Sequence, residues 1–501
     1  MPTEKTRAFL QKCAFACLLA LFFLATKGYQ YGKADQAEHL PQVLKMLDGR
    51  LFQNDFFLTQ NAQTFSIRQY FVWLVYGFSL VFGIKTACFL GCFGSIFALV
   101  LGLMYLMQQF TQTKIAPYFF AILVVFVFYN FTIGGNNITY PMFICSSLAK
   151  AFVPFALAYF IQKKYAYAFL LLGIASWFQV LVGLQVAVVL VAILVTTGFY
   201  SKALRFFGFF VVVASPILVP IIYVQFVATQ HFSAAQNAEF IAILTHFRNA
   251  NHYLPSAYPL MQYLKFGGLL GLFCVVNVCL AQKKLGVERR FIWSFMGISL
   301  LGMLVYFLGF ERLNIAFLAK TQWFKTSLWV AMLCCVPLAE LLAHFWGKRR
   351  FFSDKVLWSL LILGNFLVGF WLQKQVFKPA TALEKIHFWI ADHTPLQAQI
   401  LSLPTDHSFA CEAKRSQPVS WQAVIHEPFF MLLWKKRIDS LYFGGKTANN
   451  KQELSLDNLD LIALKKYKIT HILAQKPFEK SGVLGKIIHE EPPYILIQVN
   501  R

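Results

Sequence analysis

Residues 166–200 read AYAFLLLGIASWFQVLVGLQVAVVLVAILVTTGFY, and none of them is charged. An apolar helix of about 20 residues crosses a hydrocarbon core of roughly 30 Å. A helix also bonds its backbone amides within the segment, as lipid requires. The stretch therefore predicts two membrane-spanning helices, at about 166–181 and 183–200. We expect a polytopic α-helical membrane protein.

Comparable apolar stretches recur through the first three quarters of the chain. Of all residues, 58% are hydrophobic and 13% are charged, whereas soluble domains carry about 25% charged residues. The first stretch is long and no small-residue cleavage site follows it, so we predict an uncleaved first span. In total about eleven spans are predicted, at 8–26, 87–107, 117–133, 141–161, 166–181, 183–200, 206–227, 262–281, 291–310, 323–343 and 356–373.

Basic residues give the chain a formal net charge of +23. The positive-inside rule places the loops richest in Lys and Arg, together with the N-terminus, in the cytoplasm. These loops carry Lys114, Lys163, Lys164, Lys202, Arg205, Lys283, Lys284, Arg289, Arg290, Lys348, Arg349, Arg350 and Lys355. The opposite short loops carry Arg248, Arg312 and Lys320. Nucleic-acid binding is not expected, because no basic patch is interleaved with aromatic residues on a soluble fold.

The apolar stretch 69–84 needs separate treatment, because a full crossing would reverse the side assigned to the later basic loops. We predict a re-entrant or interfacial helix within a first external loop at 27–86, and a second external loop at 229–261. Residues 1–376 would form the transmembrane domain. Residues 377–501 are polar, with strand-length apolar runs at 400–403, 469–474 and 494–499 and helical stretches at 383–392 and 456–466, and predict a small extracytoplasmic α/β domain.

Two carboxylates of the first external loop are candidate catalytic groups. Apolar residues at helical spacing place Asp48 and Asp55 near the end of an amphipathic helix beside the membrane. A carboxylate there could act as a general base on an acceptor hydroxyl or bind a divalent cation. The alternative is structural, with Asp48 ending one helix and Asp55 capping the next. No spacing of Cys, His or acidic residues predicts a resident metal site, and the cofactor is unknown.

The second external loop is unusually polar for a chain so rich in apolar residues. It contains His246, Arg248, His252 and Tyr253 within eight residues. Arg248 could hold a phosphate by its planar fork, and either histidine could move a proton. The alternative is a polar loop at the membrane surface. Lys325, at the mouth of a later span, could hold a lipid phosphate or extend to the interface.

Lys150 is the most informative ionisable residue within a predicted span. It lies about nine residues from the outer end, which corresponds to roughly 13 Å of depth. A lysine near mid-bilayer costs about 2.5–3.5 kcal/mol on insertion scales, so it should face the bundle interior or a wet cavity. Gln179 lies at the outer end of a nearby hairpin. Motifs for nucleotide binding, serine hydrolases and zinc proteases are absent from the sequence.

Several stretches resemble bacterial multi-spanning glycosyltransferases of the C type, in a branch that is largely uncharacterised. They are LPQVLKMLDGRLFQNDFF (40–57), GGNNITYPMFICSSLAKAF (134–152), LLLGIASWFQVLVGLQ (170–185), FRNANHYLP (247–255), QWFKTSLW (322–329) and FWIADHTPLQAQILSLP (388–404). The chain departs from the family pattern at Gln179 and Asn251, where His is usual, and at Lys325, where Arg is usual.

The resemblance implies an enzyme of the bacterial inner membrane that takes a sugar from a polyprenyl-phosphate donor and gives it to an acceptor on the extracytoplasmic face. Asp48 or Asp55 would be the base or a metal ligand. Arg248, His252 and Lys325 would contact phosphate, and the tail domain would help to bind the acceptor. Two alternatives stay open, namely a transporter or lipid flippase that uses Lys150, and a non-catalytic membrane assembly protein.

Overall fold

A computed structural model describes residues 3–224, 232–280, 287–348, 359, 362–364, 380–445, 454–459 and 461–500. The chain divides into two compact units. We call residues 1–29, 88–219 and 250–376 the helical unit, and residues 30–87, 220–249 and 377–501 the mixed unit. The mixed unit thus contains the predicted tail domain together with parts of both predicted external loops.

Apolar helices account for most of the helical unit. Within the described ranges, six helices are long and apolar enough to cross a membrane: Glu4–Lys27, Ile84–Met107, Tyr200–Ile222, Leu260–Val278, Arg289–Arg312 and Ala316–Trp346. Four shorter apolar helices of this unit are Ala116–Val127, Cys145–Ile161, Tyr165–Phe178 and Val180–Thr196. These helices confirm a helical membrane protein in a bilayer environment. Each of the first ten predicted spans overlaps one of them. The predicted span 356–373 lies outside the described residues except at 359 and 362–364.

Irregular turns interrupt several of these helices. Ala116–Ile122 continues as a π-helix over Leu123–Val127, and Val287–Tyr306 continues as a π-helix over Phe307–Arg312. A 3₁₀ turn, Trp323–Thr326, leads into the helix Ser327–Lys348. Such departures from regular α-helix are frequent at functional positions. The connections add three short pieces, Ala250–Tyr253, Pro255–Ala257 and Ala316–Ala319.

The helical hairpin formed by residues 166–200 packs closely because of one glycine. Helices Tyr165–Phe178 and Val180–Thr196 meet at Gly183, where an added Cβ would collide with the Ser176 hydroxyl and the Leu172 carbonyl. A small residue at such a contact lets two helix backbones approach, as is common between helices in membranes.

The mixed unit contains a four-stranded sheet. Strands β1 (Ile400–Leu401), β2 (His471–Gln475), β3 (Gly485–Glu491) and β4 (Tyr494–Val499) lie in the order β1-β2-β4-β3. β1 and β2 are parallel, whereas β4 is antiparallel to both β2 and β3. The three predicted strands are confirmed as β1, β2 and β4. The sequence did not predict β3.

Helices cover this sheet and supply its apolar core. Thr381 and Glu384 form a capping box that starts the helix Ala382–His393. Its residues Ile386 and Ile390 are buried against Ile400, Phe409, Leu473 and Leu496. The other helices of the mixed unit are Gln36–Leu47, Phe56–Asn61, Gln69–Phe82, Ala234–Ala242 with its π-helical extension Ile243–Arg248, Phe409–Ala413, Pro428–Tyr442, Leu461–Lys466 and Ser481–Leu484.

The stretch predicted to be re-entrant or interfacial forms the helix Gln69–Phe82. One face packs on Gln36–Leu47, where the rings of His39 and Phe71 are 5.0 Å apart. Its other face is apolar and exposed, with 62% of Leu80 and 74% of Val81 accessible. An apolar face on a helix of this length is typical of a segment at a membrane surface. Its relation to the bilayer stays a prediction.

Candidate functional site

The structure divides the predicted site residues between the two units. Lys150, Gln179, His252, Tyr253 and Lys325 belong to the helical unit. Asp48, Asp55, His246 and Arg248 belong to the mixed unit.

A double-glycine turn organises the predicted residues of the helical unit. Gly134 and Gly135 both have positive φ, at 87° and 63°, which favours glycine. The Gly134 carbonyl lies 3.2 Å from His252 Nδ1. A Cβ added at Gly135 would lie 3.1 Å from His252 Cε1, and one at Gly134 would lie 3.6 Å from the backbone nitrogen of Lys325. The turn therefore brings His252 and the backbone at Lys325 to one place.

Lys150 holds the same turn from the helix side. Its side chain is fully buried, and Nζ donates to Asn136 Oδ1 at 2.7 Å and to the Asn137 carbonyl at 2.5 Å. Nζ also lies 4.9 Å from the ring centroid of Tyr140. Neutral oxygens and an aromatic face thus surround a buried cation. Such partners offset the cost of a charged lysine within a membrane span. Lys150 thereby joins the helix Cys145–Ile161 to the turn.

The start of a later helix is bonded to this turn as well. The Ser327 hydroxyl donates to the Ile133 carbonyl at 2.8 Å, and the Ile133 amide donates to the same hydroxyl at 2.9 Å. Lys325 is half-buried in the 3₁₀ turn just before Ser327. Tyr253 is buried, and its carbonyl accepts a hydrogen bond from the Tyr306 hydroxyl at 2.8 Å. Residues 133–137, 252–253 and 325–327 therefore form one polar cluster, which we call the glycine-turn cluster.

Gln179 lies beside this cluster rather than within it. The Cys145 thiol donates to Gln179 Oε1 at 3.6 Å, at the first residue of the helix that carries Lys150. Gln185, in the predicted span 183–200, donates to the Thr321 and Gln322 carbonyls at 2.7 and 3.1 Å. Sequence reasoning missed Asn136 and Tyr140 as partners of Lys150, although the polar run that contains them precedes the helix.

Asp48 is a partly exposed carboxylate held by a near neighbour in sequence. Arg50 Nε and Nη2 donate to its two oxygens at 3.0 and 2.9 Å. These hydrogen bonds, with one from the Arg50 backbone, lower the pKa of Asp48 to about 2. A carboxylate with so low a pKa is a weak proton acceptor and stays ionised at neutral pH.

Asp55 is buried and bonded to two separate chain segments. One oxygen accepts from the Leu58 amide at 3.0 Å and so caps the helix Phe56–Asn61, and the other accepts from the Gln417 amide at 3.1 Å. Burial raises the pKa of Asp55, although these backbone hydrogen bonds act in the opposite direction. One oxygen therefore caps the local helix, and the other connects this segment to the tail.

Arg248 also bonds to the tail backbone. Its guanidinium donates to the Trp421 and Gln422 carbonyls at 3.3 Å, and the side chain is buried. His246 is exposed, and its Nδ1 lies 2.8 Å from the Thr245 hydroxyl. The planar fork predicted to bind phosphate is thus directed at peptide carbonyls.

Two carboxylates near the start of the predicted first external loop were missed by sequence reasoning. Asp35 Oδ1 accepts from Gln422 Nε2 at 2.7 Å. Glu38 is buried, and its Oε1 lies 3.3 Å from Arg68 Nε. Burial raises the pKa of Glu38, while Arg68 lowers it. The sequence signal for them was a polar run before an amphipathic helix. Such a run is usually read as solvent-exposed, so it did not indicate buried carboxylates.

His387 forms a buried contact with two carboxylates of the tail. It has no exposed side-chain surface, its Nδ1 lies 2.8 Å from Glu412 Oε2, and its Nε2 lies 2.9 Å from Asp406 Oδ2. Burial alone lowers the pKa of His387, but the two carboxylates outweigh it and raise the pKa to about 9. The imidazolium therefore donates to both carboxylates at neutral pH.

The raised pKa of His387 predicts that the stability of the tail depends on pH. A group whose folded pKa is raised stabilises the fold fully below its unfolded pKa of about 6.5, and this contribution is lost as pH rises through about 9. Hydrogen exchange of the helix Ala382–His393 in the intact protein should show the loss, on the order of 3 kcal/mol, between pH 6.5 and 9.5 after correction for intrinsic rates. A His387→Gln variant should lack this pH dependence, and an unchanged profile in the native chain would contradict it.

Within the described part of the chain, no group of three or more His, Cys, Asp or Glu residues is arranged to hold a metal ion. Comparison with protein-family models gives no match, and comparison with curated proteins gives none either. The likeness to the C-type glycosyltransferases therefore rests on the motifs quoted above.

Proposed function

We propose that this protein is a C-type membrane glycosyltransferase that moves a sugar from a polyprenyl-phosphate donor to an acceptor on the extracytoplasmic face. The observation that supports this most is the glycine-turn cluster together with Lys150, which is bonded to it. They bring Lys150, His252 and the backbone of Lys325 together among apolar helices. A donor of this class combines a long apolar chain with a phosphate, and such a site offers lipid contact and cationic groups together.

The chemistry gives each group a definite task. An acceptor hydroxyl attacks the anomeric carbon, the bond from that carbon to the phosphate oxygen breaks, and the phosphate leaves with the electron pair. The hydroxyl proton passes to the released phosphate or to water. Lys150, whose Nζ is already bonded to Asn136 and Asn137, would act through its charge and by holding the turn. His252 and Lys325 would contact the phosphate and stabilise the negative charge that develops on it. We leave Arg248 out of this role, because its guanidinium is bonded to the Trp421 and Gln422 carbonyls.

Of the two predicted acidic residues, we assign the functional role to Asp48. Asp55 uses both oxygens for backbone amides, whereas Asp48 is held by one exposed residue, Arg50. With its pKa lowered to about 2, Asp48 suits a divalent cation better than it suits proton abstraction.

The proposed topology follows the charge pattern. About eleven spans, a cytoplasmic N-terminus and an extracytoplasmic residue range 377–501 put the basic loops on the inside of a bacterial inner membrane. The helix Gln69–Phe82 would then lie at the outer surface.

Transfer of labelled sugar tests the proposal. The purified protein in lipid should transfer sugar from at least one member of a polyprenyl-phosphate panel, and Lys150→Gln should reduce turnover about 100-fold or more, because it removes a charge that stabilises the leaving phosphate. Lys114→Gln, at an exposed position, is the matched control and should retain turnover. Turnover unaffected by Lys150→Gln, in a protein that remains monodisperse, would contradict the assignment.

Buried Lys150 also fits a transporter or lipid flippase, and the same material separates the two. If no donor is turned over, but a labelled lipid-linked sugar crosses the bilayer of proteoliposomes in a Lys150-dependent manner, the transport function replaces the enzymatic one.

A further inference from the structure

The tail contains a cavity of about 370 Å³ at one edge of its sheet. Ser402 and Thr405, which line it, follow the end of β1, and Gln475, which also lines it, ends β2. β1 and β2 are parallel, so their carboxyl ends meet at this edge. In open α/β sheets the crevice outside the carboxyl ends of parallel strands is the usual place for a ligand. The volume lies at the lower end of the range for small-molecule sites.

The lining combines acidic, hydroxyl and apolar groups. Among its described residues, the charged side chains are Asp406 and Asp457, and none is cationic. Thr405 adds a hydroxyl that both donates and accepts, while Phe478 and Tyr494 add aromatic faces. Two carboxylates disfavour a phosphate or carboxylate ligand, because like charges at close range repel. The same carboxylates accept strong hydrogen bonds from hydroxyl donors.

One of these carboxylates, Asp406, is held in position by a contact with the buried core. Asp406 Oδ2 is fixed by His387 Nε2 at 2.9 Å, and His387 is fixed in turn by Glu412 at 2.8 Å. His387 is completely buried, so this chain of contacts is part of the core. A rigid core contact that orients a lining carboxylate is the arrangement expected of a binding site.

We propose that this cavity binds a neutral, hydroxyl-rich ligand of the size of a single sugar, with Asp406 and Asp457 accepting its hydroxyl hydrogen bonds and the aromatic and leucine side chains packing on its C–H face. The ligand class follows from the lining alone. Its biological role, recognition of a sugar of the acceptor, rests on the proposed function.

Binding can be measured on the intact protein in lipid nanodiscs free of glycoside detergents. Saturation-transfer NMR should detect methyl glucoside or N-acetylglucosamine, and glucose 6-phosphate should bind more weakly than either. Asp457→Asn should weaken sugar binding about tenfold, which is the expected loss for a hydrogen bond to a charged group. Asp392→Asn, an exposed carboxylate outside the cavity lining, is the matched control and should bind normally.

Three outcomes would overturn the inference: no neutral sugar bound at tens of millimolar, tighter binding of glucose 6-phosphate or of glucosamine than of the neutral sugars, or unchanged affinity in Asp457→Asn. Because Asp457 is exposed, loss of fold should not confuse the result.

Failure of the proposed function is distinguishable, since a protein without transferase activity can still bind sugar in an Asp457-dependent way. Conversely, an active enzyme whose acceptor KM is unchanged in Asp457→Asn would retain the proposed function, and the site would lose its role in acceptor recognition.

Discussion

Replacing His387 with Ala is expected to lower the free energy of unfolding of the mixed unit by about 3–5 kcal/mol. The imidazolium is fully buried and lies within 2.9 Å of Asp406 and Glu412. Its removal leaves two carboxylates close together in a poorly solvated place without their shared cation. The loss of unfolding free energy comes mainly from these unpaired buried charges rather than from the hydrogen bonds themselves.

Hydrogen exchange of the helix Ala382–His393 is the appropriate measurement, because detergent-solubilised membrane proteins often unfold irreversibly. Protection of this helix should fall more than about 100-fold. His393→Gln, an exposed histidine of the same helix, should change protection little. Adding Glu412→Gln to His387→Gln should cause less loss than the two single changes summed, since one stranded charge disappears. An additive result would show that the three groups do not act together.

Asp55→Ala is expected to lower stability by about 2–4 kcal/mol, combining a lost helix cap of about 1 kcal/mol with a buried amide left unsatisfied. The amide is that of Gln417, which donates to Asp55 at 3.1 Å. Asp55→Asn keeps one acceptor oxygen and should lose less. Thermal unfolding of the intact protein, with exchange at residues 56–61, should order the proteins as native, Asn variant and Ala variant.

Asp48→Ala is the matched control for this stability experiment. Its carboxylate is partly exposed and paired with Arg50, and surface pairs contribute about 0–1 kcal/mol. We expect little change in stability and a loss of sugar transfer. The opposite pattern, in which Asp55→Asn is as stable as the native protein but inactive, would transfer the functional role from Asp48 to Asp55.

Hydropathy predicted the apolar helices of the helical unit, because an apolar helix is encoded by a continuous run of residues. The count of about eleven spans stays a prediction, since six helices of the described ranges are long and apolar enough to cross a membrane. The strands β1, β2 and β4 were also predictable, since each is an apolar run with buried residues. β3 was missed because Lys486, His489 and Glu490 give the sequence of this edge strand a polar character.

The candidate sites were less predictable, because their contacts join residues distant in sequence. Asp55 looks like a free external carboxylate until Gln417, 362 positions away, supplies its amide. His387 has no motif spacing to Asp406 and Glu412, and only the folded loop after β1 brings them together. Lys150 was a partial exception, since the cost of a charge in lipid already predicted that it would face the bundle interior or a wet cavity, and its side chain is fully buried.

The three-segment composition of the mixed unit has a consequence for biosynthesis. Residues 30–87 leave the ribosome roughly 300 residues before the segment that starts at 377 begins to appear, a delay on the order of 15–60 s at about 5–20 residues per second. Throughout that time Asp55 lacks the Gln417 amide, and Phe56 lacks Phe430, on which it stacks at 4.9 Å. Residues 30–87 therefore remain incompletely folded until the tail is synthesised. A chain truncated before the tail would expose this incompletely folded surface to proteases and chaperones.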